Sequence, residues 1–306
     1  MTLSIERDPR GPADEGPARV VTAKVTLGQR IGEIWRAREL LVAMVRKELK
    51  VKYKDSALGF IWSMLNPMMY LVIFYLVFSI FLPNGIPLFP IWLLSGLLVW
   101  NFFSSVLPSG TGAIVGNASL IKKVAFPREV LPLASVGAGL VHFCLQSCVL
   151  LAGLIVFQHG IDPAFLAIVP YAMLTLVVLT AALAIFLSAV NVYVRDSQHL
   201  IELALLAWFW MTPIIYPFRQ VGDRLIGKGL PQWLFALNPL TPVVITFQRA
   251  IYNRTTVNDG NLALLPEVGV GSHLLLLTGL LALSTVFLIG AMAFFRRVEG
   301  NFAEEL

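Results

Sequence analysis

The feature that most constrains this chain is the grouping of its apolar residues into long blocks. The hydrocarbon core of a bilayer is about 30 Å thick, and one helical crossing needs roughly 20 apolar residues. Long unbroken apolar runs are typical of membrane helices and exclude a β-barrel, whose strands are short and alternating. We predict an all-α polytopic membrane protein with six transmembrane helices. The six blocks occupy residues 58–82, 88–107, 131–157, 167–190, 200–217 and 273–294.

The positive charges predict the orientation of these helices. Only 13% of the residues are charged, about half the fraction of an ordinary soluble protein. With the N-terminus inside, the cytoplasmic segments hold 18 of the 23 Lys and Arg residues. Short cytoplasmic loops are the ones rich in Lys and Arg. We therefore expect both the N- and the C-terminus to be cytoplasmic.

The regions outside the membrane have different compositions. Residues 1–26 are polar and rich in Pro and Gly, which predicts a disordered cytoplasmic tail. Residues 27–56 alternate apolar and basic positions at helical spacing, which favours an amphipathic helix at the membrane surface. A soluble helix packed on a partner fits the same pattern. We expect a transmembrane domain at 57–295 and a cytoplasmic C-terminal tail at 296–306.

The segment between the fifth and sixth blocks is unusually apolar for a loop. Residues 218–255 contain LPQWLFALNPLTPVVITFQRAIY, which Pro239 and Pro242 interrupt. Irregular backbone at membrane depth requires cover by protein or by a wet cavity. We predict short or re-entrant helices here, while a full span with two internal prolines is the alternative.

Patterns for catalysis and cofactor binding are missing. GDRLIGKG at 222–229 nearly spells a phosphate-binding loop, but Gly229 stands where the Mg²⁺-binding hydroxyl belongs. The histidines have no metal-ligand spacing, and we predict no catalytic residue, metal, cofactor or nucleic-acid partner. Cys144 and Cys148 fit small buried apolar positions. The cores of the blocks hold no ionisable residue of the kind that ion-coupled transporters use, so any transport energy is expected from elsewhere.

The loop between the second and third blocks reads LIKKVAFPRE at 120–129. Pro127 disfavours helix at the residue before it, so a helix here is expected to end near Ala125 and Phe126 to project. A short helix with an apolar centre and a basic rim can form a compact protein contact. An ordinary positively charged cytoplasmic loop fits equally well.

One face of the first block carries Tyr70, Phe74 and Phe78 at every fourth residue, and Phe81 extends it. Aromatic faces offer sugars an apolar contact with no fixed register. The stripe can therefore line a channel, or it can pack on another helix or face lipid.

Six stretches of the chain together resemble the membrane (permease) subunit of ABC-2-type polysaccharide exporters. This group exports O-antigen, teichoic acid and actinobacterial galactan. The stretches cover residues from about 35 to 306 in family order. They are RKELKVKYKDSALGFIWSMLNP, LLSGLLVWNFFSS, NASLIKKVAFPREVLPLASV, NVYVRDSQHLIELALLAWFWMTPIIYP, LNPLTPVVITFQRAIYN and FFRRVEGNFAEEL.

The resemblance implies a homodimer in the bacterial plasma (inner) membrane, bound to two copies of a separate subunit that holds ATP and Mg²⁺. It implies an undecaprenyl-linked polysaccharide as substrate and a channel at the dimer interface lined by Tyr70, Phe74, Phe78 and Phe81. The implied contacts with the ATPase are Asn117, Lys122, Lys123, Phe126, Pro127, Arg128, Glu129, Arg195 and Asp196. The implied cytoplasmic entrance is framed by Trp35, Arg46, Lys47, Lys50, Lys52 and Tyr53.

Two other functions stay open from the sequence. An ABC-2 permease for a smaller lipid or a drug would share the same architecture. A membrane-embedded glycan-modifying enzyme or scaffold is the second alternative, and it would act without an ATPase partner.

Overall fold

A computed structural model describes most of the chain. The described residues are 27–53, 61–83, 85–218, 227, 229, 237–253, 256–257, 262–266 and 268–306. The predicted tail 1–26, residues 54–56 of the predicted interface helix and nearly all of the 222–229 motif lie outside these residues.

The described residues are almost entirely helical. They include one π-helix, Leu76–Phe81, and a short 3₁₀-helix, Glu299–Asn301. Two-residue strands β1 (Thr256–Val257) and β2 (Leu262–Ala263) pair antiparallel. The α-helices are α1 (Leu27–Arg36), α2 (Arg38–Tyr53), α3 (Ile61–Tyr75), α4 (Phe89–Gly116), α5 (Ala118–Ile121), α6 (Val130–Val156), α7 (Pro163–Leu166), α8 (Val169–Tyr193), α9 (Ser197–Met211), α10 (Leu240–Ile251), α11 (Val270–Val298) and α12 (Phe302–Glu305).

Four helical segments are long and apolar enough to cross a bilayer. They are Phe89–Gly116, Val130–Val156, Pro163–Tyr193 and Val270–Asn301, and they match the second, third, fourth and sixth predicted blocks. The first of them, 28 residues long, measures roughly 42 Å at 1.5 Å per residue. The chain is therefore a multi-pass helical membrane protein, as predicted.

The first and fifth predicted blocks form shorter helices. The first block contains α3 with 15 residues and the π-helix with 6. The fifth contains α9, which also has 15 residues and ends at Met211, just before Thr212-Pro213. The two blocks are helical as expected, and a count of six spans stays a prediction.

Helix α4 lies at the centre of the fold, where it packs against α6, α8, α9 and α10. Small residues allow two pairs of helices to come close, α4 with α8 and α6 with α2. A Cβ atom added at Gly110 of α4 would lie 2.7 Å from the Cβ of Ala184 on α8. At Gly137 of α6, an added Cβ would lie 2.6 Å from Cγ2 of Val45 on α2. Small residues at the interfaces of membrane helices let the helix backbones approach closely.

Gly110→Ala is expected to destabilise the protein because its new methyl group would overlap the Cβ of Ala184. A Cβ is bonded directly to the backbone and cannot rotate away. Overpacking of this kind costs about 1–3 kcal/mol. The free energy of unfolding, measured by denaturant titration in detergent micelles, should fall accordingly. Ala184→Gly should restore part of the loss in the double variant. Gly153→Ala is the control, since nothing lies within 4 Å of that position. Wild-type stability of Gly110→Ala would contradict the close contact.

The apolar segment between the fifth and sixth blocks contains the short helix α10, as predicted. Nearly every side chain of α10 is buried, although Pro242 lies in its first turns. The amide of Asn238 donates to the Met211 carbonyl at 3.2 Å, and Gln248 Nε2 donates to the Pro213 carbonyl at 2.9 Å. The backbone carbonyls freed where α9 breaks thus find partners inside the protein, as irregular backbone at membrane depth requires.

The interface region consists of two helices, α1 and α2, separated at Ala37. Its apolar residues point in two directions. Ile34 packs against the core of the protein, whereas Ile31 and Trp35 are exposed, with Trp35 71% exposed. An exposed tryptophan on a basic amphipathic helix fits the bilayer interface.

One expectation about packing differs from the structure. Cys144 and Cys148 are free but exposed on α6, and were predicted as buried. The surface of a membrane helix can be apolar wherever it faces lipid, so an apolar neighbourhood in sequence does not imply burial in the protein. The predicted C-terminal tail, 296–306, packs against the body of the protein, where Phe302 is fully buried next to Phe295.

Candidate functional site

The segment Asn117–Glu129, called the coupling segment below, connects α4 to α6. It begins with α5, and its hydrogen-bonded turns continue until Val124, whose amide donates to the Leu120 carbonyl at 3.0 Å. The helical part therefore ends close to the predicted Ala125. Ile121 is buried, and the following stretch, residues 122–125, is exposed. This exposed stretch forms the outward surface of the segment.

Phe126 does not project as expected. Its ring is partly buried and packs against an apolar cluster that includes Ile121 and Phe302. The exposed apolar side chain of the segment is Val124 instead, at 51% exposure. The apolar centre of the outward surface is thus Val124, flanked by the exposed Lys122 and Lys123.

The inner end of the coupling segment is held by an ion-pair cluster around Arg30 of α1. Arg30 Nε donates to Oε1 of Glu129 at 2.7 Å, and its Nη2 lies 2.5 Å from Oε2 of Glu299. The carboxylate of Glu33 is the third, and it lies 3.1 Å from Nη1 of Arg30. Glu129 is completely buried. The guanidinium therefore joins the interface helix, the coupling segment and the C-terminal end in one contact.

Electrostatics keep Arg30 charged in this partly buried position. Burial alone would lower the pKa of Arg30, but the hydrogen bond and negative charge of Glu129 and the charge of Glu299 outweigh it and raise the pKa above its ordinary value. The amphipathic helix predicted for residues 27–56 places its basic residues at the membrane surface, but Arg30 instead points into the protein and binds three carboxylates. Arg36, Arg38, Arg46, Lys47 and Lys50 are exposed as such an interface requires.

Two further contacts tie the coupling segment to its surroundings. Arg128 donates to the backbone carbonyl of Glu299 and lies over the ring of Phe302, 5.8 Å from its centroid. At the other end of the segment, Lys47 Nζ of α2 donates to Oδ1 of Asn117 at 2.6 Å. Residues Asn117, Arg128 and Glu129, which were expected to contact an ATPase, thus make contacts within this chain.

The second predicted cytoplasmic contact is the turn between α8 and α9, where Arg195 and Asp196 are exposed. It lies close to the end of α4, since a Cβ added at Gly112 would lie 3.3 Å from the side-chain oxygen of Gln198. Asn191 also donates to the Thr111 carbonyl at 3.1 Å. The structure therefore brings both predicted contact regions to the same end of the helix bundle.

The predicted channel stripe divides into exposed and packed members. Tyr70 is 43% exposed and stacks on Phe74, with ring centroids 5.9 Å apart. Phe74 and Phe78 are partly buried and pack against the core. Phe81 is exposed at the end of the π-helix, where wider turns rotate side chains away from their α-helical positions.

Helix α9 contributes aromatic residues that the sequence interpretation did not select. Phe209 stacks on Phe74 at 6.0 Å and lies 5.3 Å from Trp100 of α4. Trp210 beside it is 59% exposed. The rings on α3 and α9 form one connected row, called the aromatic face below. Its members are Tyr70, Phe74, Phe209 and Trp210. The run WFWM was the available signal, but only the packing shows which of its rings are exposed.

The six predicted entrance residues all lie on α1 and α2. Trp35 is on α1, and Arg46, Lys47 and Lys50 are exposed along α2. Lys52 and Tyr53 belong to the last turn of α2. Within the described part of the chain, no three His, Cys, Asp or Glu side chains come together as a metal site requires.

Comparison with known proteins identifies the family of the chain. The family described as ABC-2 type transporter matches residues 39–252. The chain is 31% identical over 277 residues to the O-antigen export system permease protein RfbA of Myxococcus xanthus, covering 90% of this chain and 98% of the relative. It is 30% identical to the protein of the same name from Klebsiella pneumoniae, over 76% of this chain and 87% of that one. The polysialic acid transport protein KpsM of Escherichia coli is 24% identical over 68% of this chain and 80% of its own length. The chain belongs to the ABC-2 type transporter family.

Proposed function

We propose that this protein is the permease subunit of an ATP-driven exporter that moves a lipid-linked cell-surface polysaccharide across the plasma membrane of a bacterium. The observation that carries the proposal is the match to two O-antigen export permeases at 30–31% identity over at least three quarters of this chain. The polysaccharide class is further supported by the aromatic face, because exposed rings can contact the apolar faces of sugars without a fixed register.

The proposal includes six membrane crossings with both termini in the cytoplasm. The four long helices supply four of them. The other two are α3 with its π-helix, and α9 with the chain that follows it. The placement of 18 of the 23 Lys and Arg residues in the predicted cytoplasmic segments supports this orientation.

A second copy of the chain would complete the path for the glycan. A hydroxyl-rich polymer cannot cross hydrocarbon unless its hydrogen bonds are replaced. In one copy, Tyr70 and Trp210 lie on the outside of the bundle, so they face lipid unless another protein surface covers them. Pairing two aromatic faces in a homodimer would enclose a path lined by rings.

The energy would come from two copies of a separate ATP-binding subunit. We assign its main contact to the exposed stretch of the coupling segment around Val124 and its second contact to Arg195 and Asp196. Motion of the ATPase would reach the interface helix through Arg30 and the C-terminal end through Arg128. Glu129 and Asn117 act as internal links in this assignment.

Depletion of the protein tests the proposal in cells. Lipid-linked glycan should accumulate on the cytoplasmic side of the membrane, and surface polysaccharide should decline. The measurement is mass spectrometry of extracted lipid-linked sugars together with surface staining. Accumulation of a lipid without sugar would overturn the polysaccharide assignment and favour a permease for a smaller lipid.

The aromatic face gives a second test. Tyr70→Ala combined with Trp210→Ala should slow export severalfold, because the exposed rings are lost, and leave assembly with the ATPase unchanged. Export is followed by pulse labelling of surface glycan, and assembly by co-purification. Phe157→Ala is a matched control, since Phe157 is 46% exposed directly after the end of α6 and lies outside the aromatic face. Unchanged export in the double variant would remove the channel assignment.

A further inference from the structure

A cavity of about 430 Å³ lies between α2 and the halves of α4 and α6 next to the coupling segment. Small-molecule sites commonly have volumes of about 300–1,000 Å³ and a few convergent polar groups. Among the described residues, the polar lining comprises Lys47, Glu48, Ser105, Ser109, Asn117, Ser135 and His142. Such a concentration of polar groups is unusual beside transmembrane helices, where unpaired polar groups are costly.

The polar groups are organised by hydrogen bonds across three helices. Ser109 Oγ on α4 donates to Ser135 Oγ on α6 at 3.3 Å. Ser135 Oγ in turn donates to Oε1 of Glu48 on α2 at 2.9 Å. Ser135 is 2% exposed. The chain of hydrogen bonds therefore fixes hydroxyl and carboxylate groups at the wall of the cavity.

Two small residues of α6, Ala138 and Gly139, line the cavity. At Gly139, an added Cβ would collide with Cγ2 of Val106, so α4 and α6 already touch at the floor. Ala138 on the same helix is also part of the lining. A larger side chain at Ala138 would fill space that is now available to a ligand.

The charges of the lining argue against an anionic ligand. Apart from His142, the ionisable side chains of the lining are Lys47 and Glu48, whose positive and negative charges cancel. Serine hydroxyls both donate and accept hydrogen bonds, whereas the ammonium of Lys47 only donates and the ionised carboxylate of Glu48 only accepts. A sugar ring, with several neutral hydroxyls that donate and accept, matches this set.

We propose that the cavity is a binding site for an uncharged sugar unit, positioned where a glycan would meet the transmembrane helices. The inference rests on the proposed function if the sugar belongs to the exported glycan. A glycolipid of the bilayer could present the same chemistry, and the experiment separates these two sources.

The test places the photo-crosslinking residue p-azidophenylalanine at Ser105, which is exposed at the cavity, in cells making their normal glycans. Illumination should yield a carbohydrate-bearing adduct of the full-length protein, detected by periodate staining and mass spectrometry. Ala138→Leu should reduce the adduct at least tenfold by filling the cavity. Ala152→Leu, an exposed position on the same helix outside the cavity lining, should leave it unchanged. If the Ser105 variant is not inserted, the same reporter at Ser109 replaces it.

Each result decides the assignment. The adduct can disappear when the first sugar transferase of glycan synthesis is removed. This result supports sugar binding in the cavity and identifies the exported glycan as the source. An adduct that persists supports sugar binding in the cavity and identifies a membrane glycolipid as the source. Sugar captured by a reporter at Tyr70 but not at the cavity overturns this inference and leaves the proposed function intact. Absence of sugar at both positions overturns this inference and the proposed function together. An adduct that carries phosphate but no sugar overturns the assignment of an uncharged sugar as the ligand.

Discussion

Arg30→Met is expected to destabilise the cytoplasmic end of the protein. It would leave Glu129, which is completely buried, with its nearest counter-charge removed. Breaking a buried pair by removing one partner costs about 3–5 kcal/mol, because the remaining charge stays in a poorly solvated site. The side chain of Arg30 is itself only 13% exposed. Thermal unfolding of the purified protein in detergent should therefore begin several degrees lower.

The double variant Arg30→Met with Glu129→Gln provides the decisive comparison. It removes the stranded charge together with its partner, so at least half of the lost stability should return. Arg36→Met is the matched control, since Arg36 lies on the same helix but is exposed. Export should remain impaired in the double variant, because the link between the interface helix and the coupling segment is still missing. Equal stability of Arg30→Met and the control would refute the buried cluster.

Val124→Asp is expected to weaken association with the ATP-binding subunit strongly. Val124 is the exposed apolar centre of the coupling segment, and an aspartate there would place a carboxylate where the proposed contact excludes water. Loss of a central anchor costs at least about 2 kcal/mol, which is roughly a 30-fold weaker dissociation constant. The measurement is co-purification of the two subunits, followed by titration of the ATPase onto the permease in nanodiscs.

The folded state of this variant should be unaffected because half of the Val124 side chain is already in solvent. Thermal unfolding of the permease alone verifies this. Val194→Asp is a matched control, as Val194 is 50% exposed in the turn before Arg195, and its effect on affinity should be smaller. Phe126→Asp is less informative, because Phe126 packs into the apolar cluster and its loss would also reduce stability. Full association of Val124→Asp would show that the ATPase binds elsewhere.

The long helices and the short helix α10 could be predicted because each depends on local sequence. A run of some 20 apolar residues determines a membrane helix almost without reference to the rest of the chain. Likewise, Thr212-Pro213 ends α9 since proline cannot continue the hydrogen-bond ladder. The exposed basic residues of α2 follow from the same local amphipathic pattern.

The Arg30 cluster could not be predicted, since its members are far apart in the chain. Glu129 is 99 residues and Glu299 is 269 residues from Arg30. Nothing local distinguishes Arg30 from the exposed Arg36 on the same helix. The inward direction of Phe126 also depends on distant residues, because Phe302 at the C-terminal end belongs to the cluster that it packs against.

The exposure of the aromatic residues and of the cysteines could not be predicted, for a different reason. Lipid-facing and protein-facing sides of a membrane helix are both apolar, so periodicity alone does not separate them. Tyr70 and Phe74 therefore look equivalent in sequence, although one is exposed and the other is packed against Phe209.

The contact between Gly110 and Ala184 has a mechanical consequence for α4. Gly110 lies six residues from the end of α4 at Gly116 and 21 residues from its beginning at Phe89, or roughly 9 Å and 32 Å along the axis. If α4 tilts about this tight crossing, it acts as a lever with unequal arms. A displacement of about 1 Å delivered at Asn117 would then become an opposite displacement of about 3 Å at the far end, enough to widen or narrow an opening on the other side of the membrane.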